Sequence, residues 1–214
     1  GHFTHILGHH PDVIVEAIER QAKEGIHWGI VFEKQVEWAE LIRDLVPCAE
    51  MVRFCCSGTE ATMYAVRVAR AYTRKNTILK IAGGWHGGNS DLTLGIKMPY
   101  DEEESLGLLP DLKRYVKTIP FNDLSGTLKL IHRNKKDLAG IILEPVSGEG
   151  GFIPATIEYL KMLRSETEKS GALLIFDEVI TGFRVSLGGA QERSGILPDL
   201  TTLGKIVGGG FPVG

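Results

Sequence analysis

The chain has 214 residues, 24 basic against 27 acidic side chains and a formal net charge of −3, with no Lys/Arg cluster interleaved with aromatics, which argues against nucleic acid as a partner. With 43% hydrophobic residues it is long enough for one large globular domain or two small ones. No run of eighteen uncharged apolar residues occurs and no basic-then-apolar leader opens the chain, so no membrane segment is expected; the three cysteines, Cys48, Cys55 and Cys56, fit buried thiols of a cytoplasmic protein better than a disulfide framework.

In chain order, a helix is expected from Pro11 through Val15, Ile18 and Ala22, ending before Gly25. The segment Gly25 to Phe32 follows, with Trp28, and then a second helix from Glu33 to Val46. Strand-like runs come at Met51 to Cys55, Thr77 to Ile81, Tyr115 to Ile119, Gly140 to Glu144, Ala172 to Phe176 and Leu200 to Leu203. Several are apolar on both faces, so the expected fold is α/β, with a mostly parallel central sheet and helices on both faces. The acidic stretch from Pro99 to Asp111 reads as a solvated loop. The chain opens at Gly1 without an initiator Met and stops at Gly214 inside a glycine-rich turn, which is the expectation for a fragment.

Three segments carry chemistry. Ser57-Gly58-Thr59 lies where a strand-like run meets a helix whose expected apolar stripe is Ala61, Ala65, Val68, Ala69 and Tyr72. Free N–H groups and the positive dipole end favour a dianion there, the dipole alone by up to about 2 kcal/mol, although the same residues suit an ordinary capping box. In Leu173-Leu-Ile-Phe-Asp177-Glu178-Val179, alternation puts Asp177 and Val179 on one face and Glu178 on the other. That face offers a buried carboxylate beside an apolar platform; a simple turn cap before Thr181-Gly182 is the alternative. Lys205 follows Gly204 and precedes Gly208-Gly209-Gly210, either a solvated loop lysine or an amine with room around it. Trp85, in Gly83-Gly84-Trp85-His86-Gly87-Gly88, is a core aromatic or a ring-stacking one, and His86 has no assigned role.

Together the amine, the carboxylate and the anion-binding turn suit pyridoxal 5′-phosphate (PLP), which needs a lysine to hold its aldehyde as a Schiff base and an acid to keep its pyridine nitrogen protonated. A dinucleotide-binding oxidoreductase ranks low, because no Gly-x-Gly-x-x-Gly follows the first strand with an acidic residue some twenty positions on.

The motifs Ser57-Gly-Thr-Glu-Ala61, Trp85-His86-Gly87, Glu144-Pro-Val-Ser-Gly-Glu-Gly-Gly151, Asp177-Glu-Val-Ile-Thr-Gly-Phe-Arg184 and Thr202-Leu-Gly-Lys205 resemble the class III aminotransferases of PLP fold type I. The likeness is greatest to their glutamate-1-semialdehyde 2,1-aminomutase branch. It implies a short N-terminal segment, 1–32, leading into a PLP-binding large domain, 33–214, with a C-terminal small domain beyond. It implies that Lys205 carries the cofactor, Asp177 pairs with the pyridine nitrogen, Val179 packs under the ring, Trp85 stacks over it, and Ser57, Gly58 and Thr59 bind the phosphate. It further implies small-molecule amino and keto substrates and a homodimer with shared sites. Glu149 stands where aminomutases commonly have Asn, as in many ω-amino-acid transaminases, and Trp28 and Phe32 point to a bulkier substrate side. Mutase, ω- or β-amino-acid:keto-acid transaminase, and an inert homologue or fragment are therefore the expected alternatives.

Overall fold

The computed structural model describes residues 2–26, 28–102 and 105–214. Two helices lead, α1 (Asp12–Glu24) and α2 (Glu33–Leu45), followed by α3 (Gly58–Thr73) and β1 (Thr77–Ile81). Then come α4 (Leu112–Tyr115), β2 (Val116–Ile119), α5 (Leu124–Asn134), β3 (Leu138–Leu143), β4 (Val146–Ser147), β5 (Ile153–Pro154), α6 (Ile157–Ser170), β6 (Leu173–Asp177), α7 (Gly189–Ser194) and β7 (Leu200–Thr202). The main sheet runs β2-β1-β3-β6-β7 with every pairing parallel, and β4 and β5 form a separate antiparallel ribbon.

Every residue of β1 and β3 is buried, as expected of a parallel sheet covered on both sides. Alternation along the strands sorts the side chains. Leu79, Ile81, Ile141, Leu143, Leu174 and Phe176 pack with Ile131, Tyr159, Leu160 and Leu163 under α5 and α6. Ile78, Ile142 and Ile175 pack with Ala65, Val66 and Ala69 of α3 on the opposite face. The same parity sends Lys80, Glu144 and Asp177 to the α3 side.

Strand order also fixes where a ligand can sit. The chain enters the sheet at β1, adds β2 on one side and β3 on the other, so the connections diverge at the carboxyl ends of β1 and β3. Open α/β sheets bind ligands in the crevice at such a switch point. The carboxyl ends of β1, β3, β6 and β7 lead directly to Trp85 and His86, Glu144, Asp177 and Lys205 respectively.

Several sequence expectations need correction. Met51 to Cys55 is not a strand among the described residues; its extended backbone instead exchanges two hydrogen bonds between Cys55 and Gly214 (2.8 and 2.9 Å). The buried stripe of α3 is Thr62, Ala65, Val66 and Ala69, whereas Val68 and Tyr72 are exposed, because i, i+3, i+4 and i+7 from Thr62 define the face toward the sheet. Cys48 and Cys55 are half-buried and Cys56 is exposed, so the thiols are not a buried set. Pro11 precedes α1 rather than opening it, and α1 buries none of its residues. The stretch from Pro99 to Asp111 is largely exposed, as expected, with Glu103 and Glu104 lying outside the described residues. So does His27 of the Gly25 to Phe32 segment.

Candidate functional site

A cavity of about 170 Å³ opens at the carboxyl edge of the sheet, lined by Ser57, Gly58, Thr59, Trp85, His86, Glu144, Asp177, Val179, Ile180 and Lys205. The floor comes from β6. Asp177 is 3% exposed and held by three donors: Val179 N–H at 3.1 Å and Thr202 Oγ1 at 3.0 Å on Oδ1, and His86 Nδ1 at 2.7 Å on Oδ2. Glu178, on the other side of the strand, is also buried, but it serves the fold by accepting from Thr181 Oγ1 and from the backbone and side chain of Gln191. The adjacent acids thus divide as alternation requires: both brace the turn, Asp177 through Val179 N–H and Glu178 through Thr181, but only Asp177 lines the cavity.

The sequence assigns His86 no role, and the structure supplies one. Its side chain is sealed from solvent, and burial pushes its pKa down despite the neighbouring Asp177. A neutral imidazole facing a carboxylate carries its proton on Nδ1, so Nδ1–H donates to Asp177. Nε2 then has no hydrogen-bond partner among the described residues.

One wall is the start of α3. Ser57 is its N-cap: Oγ accepts from Glu60 N–H at 3.2 Å, and Glu60 in turn accepts from Cys56 N–H at 2.7 Å. The capping role is therefore real, and it leaves the first-turn N–H groups of Gly58 and Thr59 without intrahelical partners. Gly58 is required by close approach: a Cβ there would stand 2.8 Å from Val179 Cγ2. Gly87, with φ at +84°, lies against Thr59, whose Oγ1 a Cβ would meet at 2.3 Å, so the Trp85 loop also closes onto the helix start.

Lys205 follows β7 with φ at +50°, a left-handed conformation costing a non-glycine residue on the order of 1 kcal/mol. Burial pushes its amine below the usual lysine range, while Asp177 and Glu144 pull the other way. Glu144, at the end of β3, is buried and accepts from Trp85 N–H at 2.9 Å and Gly148 N–H at 3.2 Å. Burial first, and then the charge of Asp177, push its carboxyl up to about 7. Glu144 is visible in the sequence only as the first letter of a motif; an acid closing an apolar strand before Pro145 is the signal.

A second cavity, of about 270 Å³, adjoins the first and shares Trp85, Glu144, Ile180 and Lys205 with it. Its other walls are His2, Phe3, Gly148, Glu149 and Phe152, with the Phe3 and Phe152 rings edge to face at 5.3 Å. Arg184 ties this rim down by donating to the carbonyls of Ile180 and Phe3. Of the sequence candidates, Ser57, Gly58, Thr59, Trp85, Asp177, Val179 and Lys205 come together in the first cavity, and Glu149 joins Lys205 in the second. Trp28 lines neither; it is half exposed and packs toward Phe32, with ring centroids 6.4 Å apart.

The family model for aminotransferase class-III matches residues 1–214. The chain belongs to the class-III aminotransferases. A glutamate-1-semialdehyde 2,1-aminomutase from Ignicoccus hospitalis is 46% identical over 212 residues, covering 98% of this chain and 50% of that protein. The crystal structure of an omega-transaminase from Sphaerobacter thermophilus superposes with a TM-score of 0.93 at 37% identity, covering 99% of this chain and 50% of that one. A transaminase solved with PLP bound gives the same TM-score at 36% identity and the same coverage. The chain spans about half the length of these relatives.

Class-III aminotransferases are PLP-dependent, and the residues here suit that group. A helix start with unpaired N–H groups and two hydroxyls can take a phosphate, and a buried carboxylate fixed by three donors can take a protonated pyridine nitrogen. The packed Gly58–Val179 contact offers an apolar face for a flat ring, and a lysine with lowered basicity is available to an aldehyde.

Proposed function

We propose that this chain is the cofactor-binding portion of a PLP-dependent enzyme that moves an amino group, acting as a glutamate-1-semialdehyde 2,1-aminomutase. The observation that carries the reading is that Lys205 and Asp177, far apart in sequence, line one cavity at the N-terminus of α3. Identity of 45–47% to aminomutases over 98% of the chain supports the mutase assignment.

Ser57, Gly58 and Thr59 would hold the phosphate, Asp177 the pyridine nitrogen, and Val179 and Trp85 the two faces of the ring. When bound, PLP supplies an electron sink for negative charge developing at the substrate carbon. Burial lowers the basicity of the Lys205 amine, and its Nζ would accept a proton from the substrate carbon and return it to a neighbouring atom. Glu144 holds the Trp85 backbone and the Gly148 turn to one carboxylate, keeping the two cavities in register around Lys205. The Phe3 and Phe152 pair narrows access from solvent on the second side.

A transaminase acting on ω- or β-amino acids with a keto-acid acceptor is the second reading, favoured by the aromatic second cavity and by Glu149 within it. We further infer a homodimer that covers α1, whose apolar Val13 and Ile18 are exposed, and a reducing cytoplasmic setting for the unpaired thiols. No helix among the described residues is long and apolar enough to cross a membrane.

Purified full-length protein should take up PLP and, after borohydride reduction, carry it on Lys205. Conversion of glutamate 1-semialdehyde without added keto acid supports the mutase. Strict dependence on pyruvate or 2-oxoglutarate selects the transaminase, and failure to bind PLP rejects both.

A further inference from the structure

Behind the candidate site lies a charged group that belongs to neither cavity. Lys80, in the middle of β1, is 0% exposed and points with Ile78 toward the α3 side of the sheet. Its Nζ donates to three main-chain carbonyls, those of Gly84 at 2.9 Å, Leu92 at 2.9 Å and Leu94 at 2.7 Å. An ammonium taken out of water is tolerated only when its N–H groups find such partners, and an inward cation at this place is otherwise a costly choice for a β-strand.

All three carbonyls belong to one loop, residues 84–94, which leaves β1 and carries Trp85, His86 and Gly87. Lys80 therefore draws the first residue of the loop and its far end onto a single point. Thr62 of α3 adds a tie on the same stretch, its Oγ1 donating to His86 O at 2.7 Å. His86 is bonded to Asp177 and Trp85 N–H to Glu144, so the strand lysine and the two acids all hold the same loop. The positive charge of Lys80 also disfavours a second positive charge on His86, reinforcing the effect of burial.

We propose that Lys80 is a positioning residue for the PLP site: its ammonium clamps the loop of residues 84–94 and so presents Trp85 and His86 to the Asp177 cavity. The proposal rests on reading that cavity as the cofactor site only for its ligand-binding consequence; the clamp itself is a property of the protein alone.

The first test needs no mutation. In lysine-labelled wild-type protein, the Lys80 ammonium protons should exchange with water slowly enough to be seen by NMR at neutral pH, unlike those of exposed lysines; an ammonium exchanging as fast as theirs overturns the clamp. The second uses Lys80→Met, which keeps the stem and removes the donors. Amides of residues 84–94 should exchange at least tenfold faster, while those of α5 and α6 change little. The Nδ1–H resonance of His86 should broaden or shift, and PLP affinity should fall at least tenfold. A variant that loses thermal stability yet retains the loop exchange pattern, the His86 resonance and PLP affinity would show Lys80 to be filler, and would sink the proposal. Should Lys80→Met not fold, the wild-type ammonium measurement decides. Failure of the wild-type protein to bind PLP would instead overturn the cofactor reading and leave the loop readouts to judge the clamp.

Discussion

His86 and Asp177 meet inside the protein at 2.7 Å, imidazole Nδ1 to carboxylate Oδ2, with side chains 0% and 3% exposed. The residues come from the loop after β1 and from the end of β6, strands separated in the sheet by β3. Their bond therefore spans the switch point and joins two walls of the cavity.

Replacing His86 by Leu should leave Oδ2 of Asp177 buried without a donor, a loss of about 1–3 kcal/mol. Urea unfolding of the cofactor-free protein reads that loss, and PLP titration should show affinity down at least tenfold. His86→Asn, which can restore an N–H near the same place, should recover part of both. Equal behaviour of the Leu and Asn variants would mean the donor is unimportant.

Glu144 gives a pH signature with a definite sign. Its carboxyl is pushed from 4.5 up to about 7 in the folded protein, so between those values the unfolded chain ionises while the fold keeps its proton. Its contribution to stability is thus present below pH 4.5 and lost as pH rises toward 7, by up to about 1.4 kcal/mol for each pH step crossed. In Glu144→Gln that slope should vanish, and the difference between wild-type and variant unfolding free energies, measured across this range, should change monotonically. A flat difference would place Glu144 at an ordinary carboxyl pKa.

Lys205 combines burial, lowered basicity and a left-handed backbone, three features that cost stability and serve a site. Lys205→Gly, which relaxes the backbone and removes the amine, should raise the melting temperature of the cofactor-free protein by about 2 °C or more while abolishing covalent capture of PLP. A variant less stable than wild type would show the lysine to be a structural member instead.

Gly58→Ala would drive a methyl against Val179, where the gap is 2.8 Å. The expected cost is about 1–3 kcal/mol, accompanied by weaker binding of inorganic phosphate and PLP. Val179→Ala should relieve the clash, so a double-mutant cycle should return coupling well above about 0.5 kcal/mol. Additive effects would mean that the two residues do not touch.

Much of this architecture is legible in the sequence because parallel strands announce themselves. β3 and the Leu173 to Phe176 part of β6 are apolar on both faces, and their run lengths leave little choice of partner layer. Asp177 and Val179 are legible through strand parity, and Ser57 through its helix start. The misses have physical causes. Val68 and Tyr72 look apolar by residue type, but the face that packs on the sheet is rotated toward Thr62 and Val66, which turns them to solvent. Trp28 offers size without any constraint on direction. Lys80 and Glu144 escape notice because charged residues are expected outside, and what permits them inside is a set of loop carbonyl and N–H partners whose folding back onto the side chain has no sequence signal. His86 belongs to the same class, since its partner lies 91 positions away.

The strand succession carries a consequence for biogenesis. Asp177 arrives with β6, but Lys205 and the Thr202 hydroxyl that braces Asp177 arrive only with β7 and the turn after it. A nascent chain emerging from the ribosome can assemble α3 and most of the sheet while Lys205 is still in the exit tunnel. Capture of the cofactor by Lys205 would then have to wait until β7 and the turn after it have emerged.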